Sequence, residues 1–461
     1  MKLHFFSPPE LEESVRPIFS MLKSYCRNFR IQLVETPEEA DAILFYGRYF
    51  EVNKPMIFVP HVSGHFTPNR VKLSYKNSLP APENTNFFIE ENRMVFTGDL
   101  LAFLAGQLFR AEEKREEHRD ASLHAQPGEM LGQKYQFFDR PIVDLWFQRL
   151  FQFLFPGELK SIWAQKTPGS IWMTHDVDIL LKWTWKQSLW LMGNLPWKIF
   201  KGRETFRDLG SMMRSVFQGK DVFDCVQKIQ RLEVGLPSTF FFMGWPRDHL
   251  GRRYNLTRRR FANIALEARE RGAEVGIHTS PIHLEQPEIL QEEAKRFESV
   301  FQEPAKYVRQ HYLYWDLFKT PRLQENLGIQ LDTTLGFNHS PSFRCGTCMP
   351  FKWYDLWENK ELELVEVPLI SADHQLGKVL QEGPEKALPI FDNIQRLVES
   401  AGGIHTQLFH NMYFSEIDYP GFSTMYTEWL GRLQSRQVPF LTGEDILKRF
   451  TEKDHELFTK K

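Results

Sequence analysis

Four segments of this chain place carboxylates, imidazoles or a guanidinium directly after a short apolar run. Parallel α/β sheets carry their chemistry at that position, the carboxyl end of a strand. The first is THDVD, which follows the apolar SIWM and contains Asp176 and Asp178. Residues two apart on a strand point the same way, with Cα atoms about 6.6 Å apart. The two carboxylates therefore face one site, where one can hold a cation while the other takes a proton from water. The second is EVGIHTSPIH, with His278 directly after the apolar run and His283 five positions on. On a helix that spacing would separate the rings by about 140°. Pro281 argues against a helix, so a turn can bring both toward one point, and imidazoles at a strand end suit Zn²⁺. The third is YVRQHYLYW, in which Arg309 and His311 share a face if the strand continues. Arg309 can orient a carboxylate or bind substrate, and His311 can replace or supplement His283. The fourth is LFHN, where His410 is placed to act as a general acid. Taken singly, each segment has a plain alternative: a polar loop, a hydrogen-bonded buried histidine, a surface histidine. The weight lies in the set.

The elements that must position these groups alternate from Ser170 onward. Strands are expected at Ile171–Thr174, Ser238–Met243, Ala273–Ile277, Lys306–Arg309, Ile329–Leu331, Leu362–Val367, Ile404–Phe409 and Pro439–Leu441. Helices are expected at Arg258–Arg271, Pro287–Val300, Pro321–Asn326, Ala387–Glu399 and Thr424–Ser435, two of them stopped by Gly272 and by Gly402–Gly403. Repeated β–α units of this length imply an α/β fold with a parallel sheet or barrel, and about seven units suggest a barrel. The chain before this pattern reads as a small α/β unit. It has a helix over Leu11–Phe29, short strands at Ile31–Glu35, Ala42–Tyr46 and Pro55–Val59, a buried helix at Leu100–Phe109 and an amphipathic helix at Pro141–Phe155. The mixed charges of Glu112–Asp120 read as a solvated helix end or linker. This pattern implies two domains, residues 1–160 and 161–461, within the range expected for 461 residues. Leu181–Gly219 departs from the alternation. It is dense in Trp, Lys and Phe, as an interfacial membrane helix or an insertion packed over a barrel rim would be. Pro196, Gly193 and Gly202 are expected to interrupt any long helix there.

A hydrophobic fraction of 42%, a charged fraction of 25% and a net charge of -2 describe a globular chain with no bulk polyanion-binding surface, so nucleic acid is not an expected partner. The four cysteines, Cys26, Cys225, Cys345 and Cys348, are too few for a disulfide framework. Cys345 and Cys348 form a single C-x-x-C among Pro341, Gly346 and Pro350, read as a structural loop near the barrel mouth. MKLHFFSPPELEES has no signal-peptide core, and no apolar run is long enough for a spanning helix, so a cytoplasmic location is expected, with peripheral membrane contact left to the Trp-rich segment. Oligomeric state is open at this level.

THDVD, STFFFMG, EVGIHTSPIH, VRQHYLYW, LDTTLGFNHSPSFRCGTC and LFHN occur in the order of the motifs of the polysaccharide deacetylase family. The chain resembles the branch of that family with HDVD and FRCGTC segments and an extra N-terminal domain, which FRAEE (Phe109–Glu113) and RPIVDLW (Arg140–Trp146) also resemble. The resemblance spans about Ser170 to Phe450. It implies a distorted (β/α)7 barrel preceded by a small α/β domain, a zinc or other divalent metal ion, and hydrolysis of acetyl groups on a carbohydrate substrate. Carried over by position, Asp176 resembles the catalytic base and Asp178 the metal-binding aspartate. His278 resembles the first metal histidine, Arg309 the arginine that holds the base, and His410 the catalytic histidine, with Asp332 as the acid that orients it. The family's usual TFDDG is THDVD here, so the two aspartates can exchange roles. Its second histidine falls one position late, which leaves the third ligand open between His283 and His311. A barrel that binds sugar without catalysis is the alternative reading.

Overall fold

The computed structural model describes residues 1–7, 12–47, 56–60, 71–73, 80–82, 87–90, 93–96, 99–114, 130, 137–157, 160–163, 169–199, 203–218, 220–245, 247–248, 251–252, 254–281 and 286–452. His283 lies outside them.

The N-terminal unit is a six-stranded sheet of β1 (Lys2–Phe6), β2 (Gln32–Val34), β3 (Ala42–Gly47), β4 (Met56–Pro60), β5 (Phe87–Glu90) and β6 (Arg93–Phe96), in the order β2-β1-β3-β4-β6-β5. Its ladders are parallel except β5–β6. The helices α1 (Glu12–Phe29), α2 (Leu100–Leu108) and α3 (Ile142–Leu154) belong to this part of the chain, and Asp99 caps α2 by accepting the Ala102 N–H. The charged run after α2 is not solvated where it is described. Glu112 and Glu113 are buried, and Glu113 bridges Arg110 and Arg344 at 2.8 and 2.6 Å. Burial alone would raise the Glu113 carboxyl, but the two guanidinium groups outweigh it and hold it at about 2.

The C-terminal part is a nine-stranded sheet. Its strands are β7 (Ser170–Val177), β8 (Thr239–Met243), β9 (Glu274–Thr279), β10 (Tyr307–Gln310), β11 (Leu331–Asp332), β12 (Phe351–Asp355), β13 (Lys360–Glu366), β14 (Ser371–Ala372) and β15 (Ile404–His410). The order is β12-β13-β11-β10-β9-β8-β7-β15-β14, parallel throughout except for the edge pair β12–β13. Among the described residues the expected barrel is not closed by strand pairing. Between β13 and β14 the chain runs through Pro368, which has no N–H to give to a ladder. Val367 N still donates to Asp332 O and Ile370 N to Thr406 O, so this segment crosses from one end of the sheet to the other as a seam. The strand expected at Pro439–Leu441 reduces to a single bridge between Ile171 and Phe440.

The central strands are apolar enough to be buried on both faces. Phe240, Phe241 and Phe242 of β8 have no exposure, each contributing on the order of 2 kcal/mol through burial. Gly276 on β9 makes room for one of them, since a Cβ there would lie 2.6 Å from the Phe241 ring. Helices α4 (Trp185–Ile199), α5 (Arg203–Gln218), α6 (Val226–Leu232), α7 (Arg259–Glu270), α8 (Glu288–Phe301), α9 (Thr320–Asn326), α10 (Leu388–Ala401), α11 (Phe422–Ser435) and α12 (Gly443–Thr451) connect and follow the strands. Gly402 ends α10 at φ 68° and Thr442 caps α12 reciprocally with Asp445. In the Trp-rich insertion, α4 continues through Gly193 and Pro196 to Ile199, so neither residue interrupts it; Gly202 lies outside the described residues.

The C-x-x-C segment is not at the mouth of the sheet. Cys348 O accepts the N–H of Ile404, the first residue of β15, which puts the segment at the amino ends of the strands. There Asp144 of α3 accepts from Cys348 N at 2.8 Å and from the hydroxyls of Tyr25 and Thr347. Burial pushes both Cys345 and Cys348 thiols up, which suits a packing role. RPIVDLW and CGTC are thus two sides of one contact between the N-terminal unit and the sheet.

Candidate active site

The carboxyl ends of β7, β9, β10, β11 and β15 converge on one polar cluster. Side chains alternate along β7, so Thr174, Asp176 and Asp178 share a face while His175 takes the other. His175 is held there by Glu233 at 2.8 Å and by the carbonyl of Phe409 at 3.1 Å. Asp176 Oδ1 accepts from Arg309 Nη1 at 3.0 Å, and both side chains are buried. Arg309 makes four side-chain hydrogen bonds in this cluster. It also donates to Thr174 Oγ1, Thr333 O and Thr333 Oγ1 at 2.9, 3.0 and 3.2 Å, and its guanidinium lies 4.7 Å from the Phe241 ring centre.

The same arginine orients a histidine through its backbone. His278 Nδ1 lies 2.9 Å from Arg309 O, and a carbonyl can only accept, so Nδ1 carries the proton. In the neutral ring Nε2 is then a bare lone pair. It points at carboxylate oxygens, 3.2 Å from Asp178 Oδ1 and 3.6 Å from Asp176 Oδ2. Among the described residues neither His278 Nε2 nor Asp178 Oδ1 has a hydrogen-bond partner, although both are buried. Asp178 Oδ2 lies 3.3 Å from His311 Nε2 and 3.7 Å from His410 Nε2. Burial disfavours the charge on Asp178, yet His311, His278 and His410 outweigh it and hold the carboxyl well below the usual range.

This donor set fits a divalent cation. One ligand atom each from Asp178, His278 and His311 lies within 4.8 Å of the others. Two atoms each about 2.1 Å from a tetrahedral zinc are about 3.4 Å apart, close to the 3.2 and 3.3 Å contacts of Asp178. A lone pair facing a carboxylate in a buried site is repulsive unless a cation or proton lies between them. Of the two histidines offered for the third position, His311 is the one brought to Asp178; His283 is outside the described residues.

His410 has a different partner from the one expected. Its Nδ1 lies 2.6 Å from Asp373 Oδ1, and its backbone N–H donates to Asp373 Oδ2 at 2.6 Å. Burial would lower this imidazole, but Asp373, with Asp178 and Asp176 behind it, raises it to about 10. Asp332 is not beside His410. It pairs in register with Val308, the neighbour of Arg309, and so faces away from the site. Its carboxylate takes Thr334 Oγ1 at 2.7 Å and Gln324 Nε2 of α9 at 3.2 Å, and burial pushes it to about 6. The motif order suggests Asp332; the pleat puts Thr333 inward instead. Asp373, His374 and His410 form a second group with metal-ligand spacing. There both Asp373 oxygens are already engaged by His410, so it reads as a hydrogen-bonded pair. His374 is driven down to about 4 by burial first and by His410 second, and is neutral.

Comparison with protein-family models and with curated proteins finds no match. Among solved structures, the chain is similar to a Mycobacterium smegmatis protein assigned as a polysaccharide deacetylase, with a TM-score of 0.40, 17% identity, and coverage of 59% of this chain and 86% of that one. It is similar to the allantoinase Puue, with a TM-score of 0.36, 14% identity, and coverage of 50% and 72%. It is also similar to the peptidoglycan deacetylase PdaC of Bacillus subtilis, with a TM-score of 0.31, 12% identity, and coverage of 51% and 87%.

Proposed function

We propose that this chain is a metal-dependent hydrolase that removes an acetyl or similar acyl group from an amino sugar. The observation that carries the reaction type is the buried pair Asp178 Oδ1 and His278 Nε2, neither hydrogen-bonded to any described residue, set beside a separate carboxylate paired with Arg309 and a separate protonated imidazole. The sugar substrate rests on the motif resemblance.

Asp178, His278 and His311 are the residues that would hold the ion. A divalent ion such as zinc, when bound, polarises an acyl carbonyl and lowers the pKa of water toward about 7. Asp176, oriented by Arg309, accepts the proton of the attacking water. Thr174 and Thr333 fix the guanidinium, and so fix where that carboxylate points. His410, kept protonated by Asp373, donates its Nε2 proton to the leaving nitrogen or oxygen. The 2.6 Å contact at Nδ1 sets the ring so that Nε2 faces Asp178 and the reacting groups.

The test is elemental analysis together with acetate release from an N-acetylglucosamine oligomer, on wild type and on H278A, H311A and D176N. About one zinc per chain is expected, lost with either histidine. D176N is expected to keep the metal and lose at least about a hundredfold in turnover. A protein that takes up no divalent ion would refute the proposal and favour a sugar-binding role. A D176N that turns over normally would remove Asp176 from the scheme.

A further inference from the structure

The insertion over residues 181–219 leaves several large apolar side chains exposed. Trp190 and Trp197 on α4, and Phe206, Met213 and Phe217 on α5, stand in solvent, with Trp197 at 73% and Phe217 at 79% exposure. A face of this kind is unusual for an isolated soluble surface. The spacing is regular. At 100° per residue, Phe206, Met213 and Phe217 fall within about 40° of one another, and Arg207 and Arg214 fall roughly 80–100° round from Phe206. Trp190 and Trp197, seven apart, share one side of α4. Residues 181–220 carry eight Lys and Arg against Glu204 and Asp208, in a chain of net charge -2.

We infer that this helical hairpin docks on an anionic lipid bilayer, with its Trp and Phe side chains entering the headgroup boundary and its basic residues meeting lipid phosphates. Aromatic residues beside a cationic flank on an amphipathic helix are what that interface selects. The base of the hairpin is tied down by ion pairs and hydrogen bonds. Lys182 bridges Asp208 of α5 and Asp418, at 3.1 and 2.5 Å, and Asp418 lies on the segment after His410. Asp221 accepts the N–H groups of Lys182 and Trp183, and Trp183 Nε1 donates to Ser211 at 2.8 Å. The strand that carries Asp176 ends at Val177 and α4 begins at Trp185, seven residues after Asp178, so a bilayer held by the hairpin lies at the rim of the candidate active site. Whatever the site hydrolyses, membrane-anchored headgroups are then within its reach.

The test is sedimentation of the full chain with sucrose-loaded vesicles, of phosphatidylcholine alone or with about a third phosphatidylglycerol. Binding to the anionic vesicles is expected, falling with added salt as charges are screened. F206S/M213S/F217S should abolish it. R207Q/R214Q should lower the partition about twenty-five-fold, from about a factor of five per cationic side chain. No binding to anionic vesicles, or binding that neither variant changes, would overturn the inference. So would a doubled mass in lipid-free solution that F217S reverses, since the face would then join two copies of the chain.

Discussion

Asp373→Asn is the change that most directly tests how the candidate general acid is charged. The carboxylate of Asp373 meets His410 Nδ1 and the His410 backbone N–H, both at 2.6 Å. It is the largest influence that raises His410 to about 10 against the opposing effect of burial. Asparagine keeps the size and can still accept at Nδ1, but it brings no charge to balance an imidazolium. Without that charge the ring is expected to titrate near or below the ordinary 6.5. At about pH 8 a group titrating near 10 is about 99% protonated, while one near 6.5 is about 3% protonated. The acid form therefore falls about thirtyfold at pH 8, yet by less than about a factor of two at pH 6. The assay is kcat/KM for acetate release across about pH 6–9, with metal content measured on the same samples. Wild type should hold its acid form through this range; D373N should lose about tenfold per pH unit above about 6.5. The sign for stability runs the same way. A raised imidazole stabilises the fold fully below 6.5, and that contribution is lost as pH rises through about 10. A D373N profile parallel to wild type, with metal retained, would refute the assignment of His410 as an acid charged by Asp373.

Packing away from the site gives two more expected outcomes. Glu113, held at about 2 by Arg344 and Arg110 against burial, contributes stability that is present above about 4.5 and lost as pH falls toward 2. The linkage is on the order of 3 kcal/mol, so urea midpoints should drop across that window in wild type and vary less in R344M; equal acid sensitivity would sink the argument. Gly403→Ala would put a Cβ 2.4 Å from Cys348 Sγ and 2.7 Å from its carbonyl oxygen, where the N-terminal unit meets the sheet. Overpacking of this kind should cost about 1–3 kcal/mol and lower the thermal midpoint, and an unchanged midpoint would show that the segment can move aside.

The strand-end rule finds most of the cluster because it depends only on an apolar run and the polar residues directly after it. It locates Asp176, Asp178, His278, Arg309, His311 and His410, whose side chains the fold brings together. It misses Asp373 for a local reason. The run Leu362–Val367 reads as a strand that ends there, but after Pro368 the chain re-enters the sheet as Ser371–Ala372. Applied to that second piece, the same rule points to Asp373 and His374 at once. Asp332 is carried over by motif order, and a one-residue shift on a pleat moves a side chain to the other face of the sheet. Glu113 reads as solvated because a mixed-charge run looks the same in sequence whether its partners are water or Arg110 and Arg344. The open seam is not legible at all, since counting β–α units does not say whether the last strands pair.

The division of labour between the two aspartates comes from the reach of one side chain. THDVD puts both carboxylates on one face and leaves their roles interchangeable. Arg309 then engages Asp176 and does not engage Asp178. A carboxylate already paired with a guanidinium offers a cation less, so Asp176 is the poorer ligand and is the one left to accept a proton. Asp178 is left facing His278, His311 and His410, groups that either donate lone pairs to a metal or carry a proton. The backbone carbonyl of Arg309 fixes the His278 tautomer that turns a lone pair toward Asp178. One residue of β10 therefore sets both halves of the site, and its position is fixed in turn by Thr174 and Thr333 from the strands on either side of the cluster.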